Sequence, residues 1–139
     1  MKSISRSLVA ALTGALLLSI ATPVVAGARG VSSATYLYNC SKLTSRPSSI
    51  ILACADANLY VAKITWSGWS TTSAHAKGTL HWNTCTPTCV SGTMKSAPIT
   101  FVASGRRQVK GRWLYTQLVG NKSTWRTGSA VFSLPTSAL

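Results

Sequence analysis

Residues 74–83, Ala-His-Ala-Lys-Gly-Thr-Leu-His-Trp-Asn, alternate small or apolar side chains with polar ones along the whole stretch. Successive side chains of a β-strand point to opposite faces, so this stretch offers one face to a core and the other to water. A helix would need apolar positions three as well as four residues apart, and no two apolar positions in this stretch are three apart. The alternation therefore predicts a strand over 74–83, in a sheet with one buried face.

The chain on either side of this stretch has a composition that also favours strands. Thr, Ser, Val, Trp and Tyr are frequent, and Glu is absent. β-branched and aromatic residues fit a pleated sheet, and Ser, Gly, Asn and Pro clusters mark the turns between strands. About seven strands at short spacing predict an all-β fold, either an antiparallel β-sandwich or a small barrel. The six further strands are predicted at 36–40, 49–54, 59–66, 99–103, 109–118 and 128–134.

Residues 1–28 have the pattern of a secretory signal peptide. Lys2 and Arg6 form a positive start, an apolar run follows, and small residues precede the expected cleavage point after Ala26 or Ala28. The apolar run is shorter than the roughly 20 residues that a membrane-spanning helix needs. We therefore expect a secreted, extracellular protein without stable membrane insertion.

The four cysteines predict two disulfides, because thiols outside the cytosol are usually oxidised. Cys85 and Cys89 lie four residues apart around Pro87, a spacing that a tight turn can bring to bonding distance. Cys40 would then pair with Cys54. A bond from Cys54 to Cys85 or Cys89 stays open, since sequence alone does not determine connectivity. The exported setting argues against a zinc site, and we predict no metal and no cofactor.

Asp56 is the only acidic residue, against 14 Lys and Arg and a net charge of +13. General acid–base catalysis and hard-cation sites usually draw on several carboxylates, so this composition argues against an enzyme. Asp56 and Asn58 lie in a stretch typical of a turn, and we predict a structural role there, with the carboxylate paired to a Lys or Arg. We predict a single basic β domain over 29–139. Its expected partners are anionic polymers of the cell envelope, or nucleic acid bound non-specifically. The oligomeric state stays open.

The densest positive charge lies beside Trp113, where a single strand over 109–118 would turn alternate basic residues to solvent. This arrangement predicts a polyanion-binding patch. The alternative is an edge strand protected by charge against aggregation. The predicted patch consists of Arg106, Arg107, Lys110 and Arg112.

Five tryptophans in a small domain raise the possibility of an aromatic binding surface. Trp66 is in phase with Tyr60, Ala62 and Ile64, which predicts that these four share the inward face of a strand. We therefore expect the tryptophans to be mainly core. Trp69 and Trp125 are the two expected to be exposed, and they are candidate binding residues.

His75 and His81 suggest a ribonuclease-like pair in which one imidazole removes a proton and the other donates one. On one strand they would lie about 20 Å apart, too far to serve one scissile bond or to share a metal. A small secreted hydrolase using either histidine is thus an alternative function. A second alternative is a protein–protein module, such as a secreted inhibitor, that uses the loop from Cys85 to Cys89.

Three motifs resemble those of an uncharacterised family of small secreted actinobacterial proteins: Cys54-Ala55-Asp56-Ala57-Asn58, Trp66-Ser67-Gly68-Trp69 and Cys85-Thr86-Pro87-Thr88-Cys89. The resemblance covers residues 40–103. It implies export, two disulfides and an all-β domain of similar size, and it implies no particular activity.

Overall fold

The computed structural model describes residues 34–69, 72–121 and 124–139, and all regular structure in these ranges is β. The predicted signal peptide lies outside the described residues. The strands are β1 (Thr35–Asn39), β2 (Lys42–Thr44), β3 (Ile50–Ile51), β4 (Leu59–Ser67), β5 (Ala74–Asn83), β6 (Met94–Ser104), β7 (Arg107–Val109), β8 (Arg112–Leu114), β9 (Gln117–Val119) and β10 (Val131–Ser133).

The strands form two sheets, which confirms the predicted all-β class. A four-stranded sheet has the order β2-β1-β8-β7, and a six-stranded sheet has the order β10-β9-β6-β5-β4-β3. Neighbouring strands are antiparallel except β1 and β8, which run parallel. The architecture includes a curled half-barrel.

The strand predicted at 74–83 is confirmed as β5, and its alternation fixes the position of the core. Ala74, Ala76 and Leu80 are buried, whereas His75 and Lys77 between them are exposed. β5 pairs along its whole length with β6, whose Phe101 and Ala103 are also buried, and it pairs on its other side with β4. The apolar face of this strand pair therefore forms one side of the hydrophobic core.

A β-bulge in β4 changes which side chains face that core. Ala62 pairs with Thr79 and Thr65 pairs with Lys77, so Lys63 and Ile64 together oppose Gly78. Lys63 is in the left-handed region, with φ of 54°. The extra residue shifts the side-chain alternation by one position at this point.

The predicted phase of β4 is consequently wrong before the bulge and correct after it. Val61, not Tyr60 or Ala62, is fully buried in the first half of the strand. Ile64 is buried and Trp66 packs against the core in the second half. Sequence alternation alone could not show the shift, because a bulge leaves no period-2 signal of its own.

The strand predicted over 109–118 is wrong in extent. Val109 pairs with Arg112, so Lys110 and Gly111 form a two-residue hairpin turn between β7 and β8, with φ of 47° and 77°. Positive φ at both central residues is the property of a type I′ turn, whose twist matches that of the flanking strands. A second break after β8 separates it from β9. Three other predicted strands are shorter or longer than predicted, at β3, β6 and β10.

Both favoured disulfides are confirmed, with bonds from Cys40 to Cys54 and from Cys85 to Cys89. Two disulfides suggest an oxidising, extracellular setting. In the part of the chain that the structure describes, no helix is long and apolar enough to cross a membrane.

Candidate functional site

The predicted patch of four basic residues is divided by the structure into two environments. Arg106 is half-buried, its Nε donates a hydrogen bond to Thr35 Oγ1 at 2.9 Å, and its guanidinium lies 3.9 Å from the ring centroid of Trp113. Arg106 therefore connects the segment before β7 to β1. Lys110 and Arg112 are exposed and stay together at the β7–β8 hairpin turn, and Arg107 is exposed on β7.

The two tryptophans expected to be exposed are not. Trp125 has no exposed surface and packs edge-on against Phe101, with ring centroids 5.3 Å apart. Trp69 is half-buried, packs against Trp66 with centroids 4.6 Å apart, and donates its Nε1–H to the Thr35 carbonyl at 3.0 Å. Both lie outside regular strands, where no alternation in the sequence could reveal their direction. The broader prediction that the tryptophans are mainly core holds for both.

Asp56 and Asn58 form the predicted turn. The Asp56 carboxylate accepts hydrogen bonds from the Asn58 backbone N–H at 3.0 Å and from the Asn58 side-chain amide at 2.7 Å. The backbone N–H first and the amide second hold the pKa of Asp56 below its usual value. The expected Lys or Arg partner is wrong, because within the described ranges no ion pair contributes to this pKa.

Asn58 also connects this turn to the far end of β5. Its side-chain oxygen accepts a hydrogen bond from the Asn83 amide at 3.1 Å, and its backbone carbonyl accepts one from the Asn83 N–H at 2.8 Å. The Asn83 amide then donates to the Cys89 carbonyl at 2.8 Å. The only acidic side chain is thus part of a network that holds the Cys85–Cys89 loop.

His75 and His81 lie on β5 at positions that alternate with its buried residues, as predicted. His75 is exposed. His81 stacks on Tyr60 of β4, with ring centroids 4.7 Å apart and nearly parallel planes. The two imidazoles therefore have different neighbours.

Two adjoining grooves lie along β4, β5 and β6, with volumes of about 690 Å³ and about 810 Å³. Both are lined by Thr65, Lys77, Thr100 and Asn121. The register places the first three side by side, since Thr65 pairs with Lys77 and Lys77 pairs with Thr100. All four are exposed. We call this continuous depression the trough.

Positive charge and hydroxyl groups dominate the polar side chains of the trough. Lys63 and Arg126 line it at one end with Thr79, and His75 and Ser67 line it at the other. Lys77 lies between the two ends. No acidic side chain lines it, because Asp56 is the only one in the chain and lies in the turn before β4.

The dimensions of the trough suit a short stretch of an extended molecule. From His75 to Thr79 the rise is about 13 Å, and three neighbouring strands span roughly 10 Å. Arg126 is additionally held over the Trp82 ring, 4.8 Å from its centroid. A segment of chain that carries several negative charges can therefore contact more than one cation at once.

Most trough residues were not singled out from the sequence, although part of the signal was present. The polar alternation of β5 predicted a wet face that includes His75 and Lys77. Lys63 joins the trough through the bulge, which the sequence pattern did not reveal. Arg126 and Asn121 come from the segment after β9, where no periodicity exists.

The loop from Thr84 to Thr93, between β5 and β6, carries an exposed apolar side chain. Val90 is fully exposed at its tip. Hydrogen bonds join Thr84 and Thr93 at its base, and Thr88 and Ser91 near its tip. The loop that the sequence suggested for protein contacts is thus well held and presented to solvent.

Comparison with known proteins adds no relative. We found no match to this chain among protein-family models, curated proteins or solved structures. The chemistry of the trough and of the exposed loop is therefore the basis for assigning a function.

Proposed function

We propose that this chain is an exported, non-catalytic binding protein that holds anionic polymers in the trough. The observation that carries the proposal is the trough itself, where Lys63, Lys77 and Arg126 line a depression with no acidic side chain. Several cations along one path favour a polymer with repeated negative charges, because each contact releases counterions. The fold and its two disulfides are consistent with a role at the cell envelope or in the medium.

The side chains between the cations favour a polyol or sugar backbone over nucleic acid. Thr65, Thr79 and Thr100 offer hydroxyls that can donate and accept hydrogen bonds to alcohol groups. Proteins that hold single-stranded nucleic acid usually expose aromatic rings on which bases stack. Trp82 lines the trough, but the guanidinium of Arg126 already lies over its ring, 4.8 Å from the centroid. We therefore favour envelope glycans or polyols that carry phosphate or carboxylate.

The test is retention on a phosphate-bearing polyol matrix in a salt gradient. The double variant Lys63→Gly/Lys77→Thr removes two trough charges, and the control Lys42→Thr/Lys95→Thr removes two exposed charges that do not line the trough. We expect the trough variant to elute at lower salt, with the slope of log affinity against log salt reduced by about 1.4, since each contact contributes roughly 0.7.

The control should keep the slope of the wild-type protein. Equal losses in both double variants would show that the attraction is diffuse and that the trough is not the site. A wild-type protein that passes through the matrix at low salt would contradict polyanion binding altogether.

A second candidate function is a protein–protein module, favoured by the exposed Val90 on the 84–93 loop. A pre-ordered loop loses little conformational entropy on binding. This function predicts a 1:1 complex with a secreted protein that is insensitive to salt and is lost in Val90→Ser. The trough variant would leave such a complex unchanged.

A further inference from the structure

A cleft on the four-stranded sheet combines positive charge with hydroxyl groups at its rim. Lys110 and Arg112 of the β7–β8 hairpin line it, together with Tyr38 of β1 and the hydroxyls of Thr136 and Ser137. Its volume is about 480 Å³. Pockets for small molecules usually measure about 300 to 1,000 Å³, so the cleft has the size of a small-molecule site.

The lining of this cleft also includes apolar residues. Leu43 of β2, Val109 of β7 and Leu114 of β8 line it, and Leu114 is almost fully buried. A ligand that suits the cleft must therefore satisfy both the cations and the apolar surface.

We propose that this cleft binds a small amphiphilic anion, namely a phosphate monoester or carboxylate joined to an apolar body. The planar guanidinium of Arg112 can hold two oxygens of such a head group, and the Lys110 ammonium adds a compact second charge. The apolar body would lie against Leu43 and Val109, which are half-buried. Each buried methylene should raise the affinity about fourfold.

The backbone at Lys110 allows the charge to be removed without harm to the hairpin. Lys110 has a φ of 47° at the first position of the two-residue turn. Asn, Asp and Gly are the residues preferred there, because an L side chain such as lysine is strained at positive φ. Lys110→Gly should therefore fold at least as well as the wild-type protein.

The test titrates the full mature chain with octyl phosphate below its critical micelle concentration, by calorimetry at low salt. Inorganic phosphate and octyl glucoside serve as the head-only and tail-only probes. We expect octyl phosphate to bind at least tenfold more tightly than either probe. The variant Lys110→Gly/Arg112→Gln should lose at least tenfold in affinity.

Two controls separate this cleft from the trough and from general charge. Neither Lys63→Gly/Lys77→Thr nor Lys42→Thr/Lys95→Thr should change octyl phosphate binding. If octyl phosphate binds no better than inorganic phosphate, or if the Lys110→Gly/Arg112→Gln variant binds it normally, the proposal is wrong. These outcomes leave polymer binding in the trough untouched, because that is measured on a different matrix with different variants.

Two further binding measurements distinguish the possible sources of the anion. Nonanoate compares the carboxylate with the phosphate head group: if it too binds better than octyl glucoside, the cleft accepts both head groups, and if only octyl phosphate binds, the cleft selects phosphate monoesters. Sedimentation with phosphatidylglycerol vesicles asks whether a lipid in a bilayer can supply the anion. Vesicle binding without any binding of monomeric octyl phosphate would overturn the proposal, since it would show attraction to a charged surface rather than occupancy of the cleft.

Discussion

Replacing Lys63 and Lys77 separately by glycine should affect stability in opposite ways, although both changes remove one positive charge from the trough. Lys63 has a φ of 54° at the bulge, whereas Lys77 lies in the middle of regular β5 and pairs with both neighbouring strands. A left-handed conformation disfavours an L side chain by about 1 to 2 kcal/mol. Glycine removes that strain at position 63, but its greater freedom in the unfolded chain raises the entropic cost of folding by about 0.5 to 1 kcal/mol.

The net result for Lys63→Gly is a free energy of unfolding that is unchanged or raised by up to about 1.5 kcal/mol. Lys77→Gly relieves no strain, and it loses about 1 kcal/mol through entropy and the low strand propensity of glycine. The two variants should therefore differ by roughly 1 to 2.5 kcal/mol, which corresponds to about 4 to 12 °C in melting temperature for a domain of this size.

Urea denaturation of both variants and the wild-type protein, at one salt concentration, measures this difference directly. The m-values should agree, because the buried surface is the same. The loss of self-repulsion is also the same in both variants, so it cancels in the comparison. If Lys63→Gly were destabilised as much as Lys77→Gly, the lysine side chain would not strain the bulge, and the reasoning from its positive φ would be wrong.

Three further changes test the turn, a disulfide and the exposed loop. Asp56→Asn should lower the melting temperature at neutral pH. Because Asn58 depresses the pKa of Asp56, the stabilisation is lost as pH falls through that depressed pKa, so the difference in melting temperature between the variant and the wild-type protein should close in acid. Replacing Cys40 and Cys54 by alanine should lower the free energy of unfolding by about 3 kcal/mol, which is the chain-entropy value for a loop of roughly 15 residues. A loss below about 1 kcal/mol in urea denaturation would contradict this expectation. Gly92→Ala should loosen the loop, because a methyl group there would collide with side-chain and backbone atoms of the loop network, and faster amide exchange confined to residues 84–93 is the measurement.

The sequence was sufficient for the features that depend on local pattern. Strand β5 was predicted with its correct bounds because an unbroken alternation needs no tertiary information. Cys85 and Cys89 are close enough in sequence that their pairing leaves Cys40 with Cys54. The Asp56 turn could be predicted because the short carboxylate of an aspartate can accept a hydrogen bond from the backbone N–H two residues later in the chain.

The features that escaped prediction depend on register and on chain reversal. The bulge at Lys63 becomes visible only when β4 is paired with β5, where Gly78 leaves room for two residues opposite one. A side chain at Gly78 would approach Val61 and the Ala62 carbonyl at 3.0 Å. Lys110-Gly111 was a weaker turn signal than Asn-Gly or Asp-Gly, so alternation on both sides of it suggested a continuous strand.

The position of the lone acid explains how a basic trough and a stable fold can coexist in one chain. Asp56 is satisfied by Asn58 rather than by a cation, so none of the described lysines or arginines is neutralised by an acidic side chain. The bulge brings Lys63 to the trough although its positive φ strains the backbone there. The two disulfides add stability that can offset this strain. If the trough binds through its cations, Asp56→Asn should leave the salt dependence of polymer binding unchanged while lowering stability. A steeper slope, equal to the gain of about one contact, would instead place Asp56 in the electrostatics of the site and would require a different account of the turn.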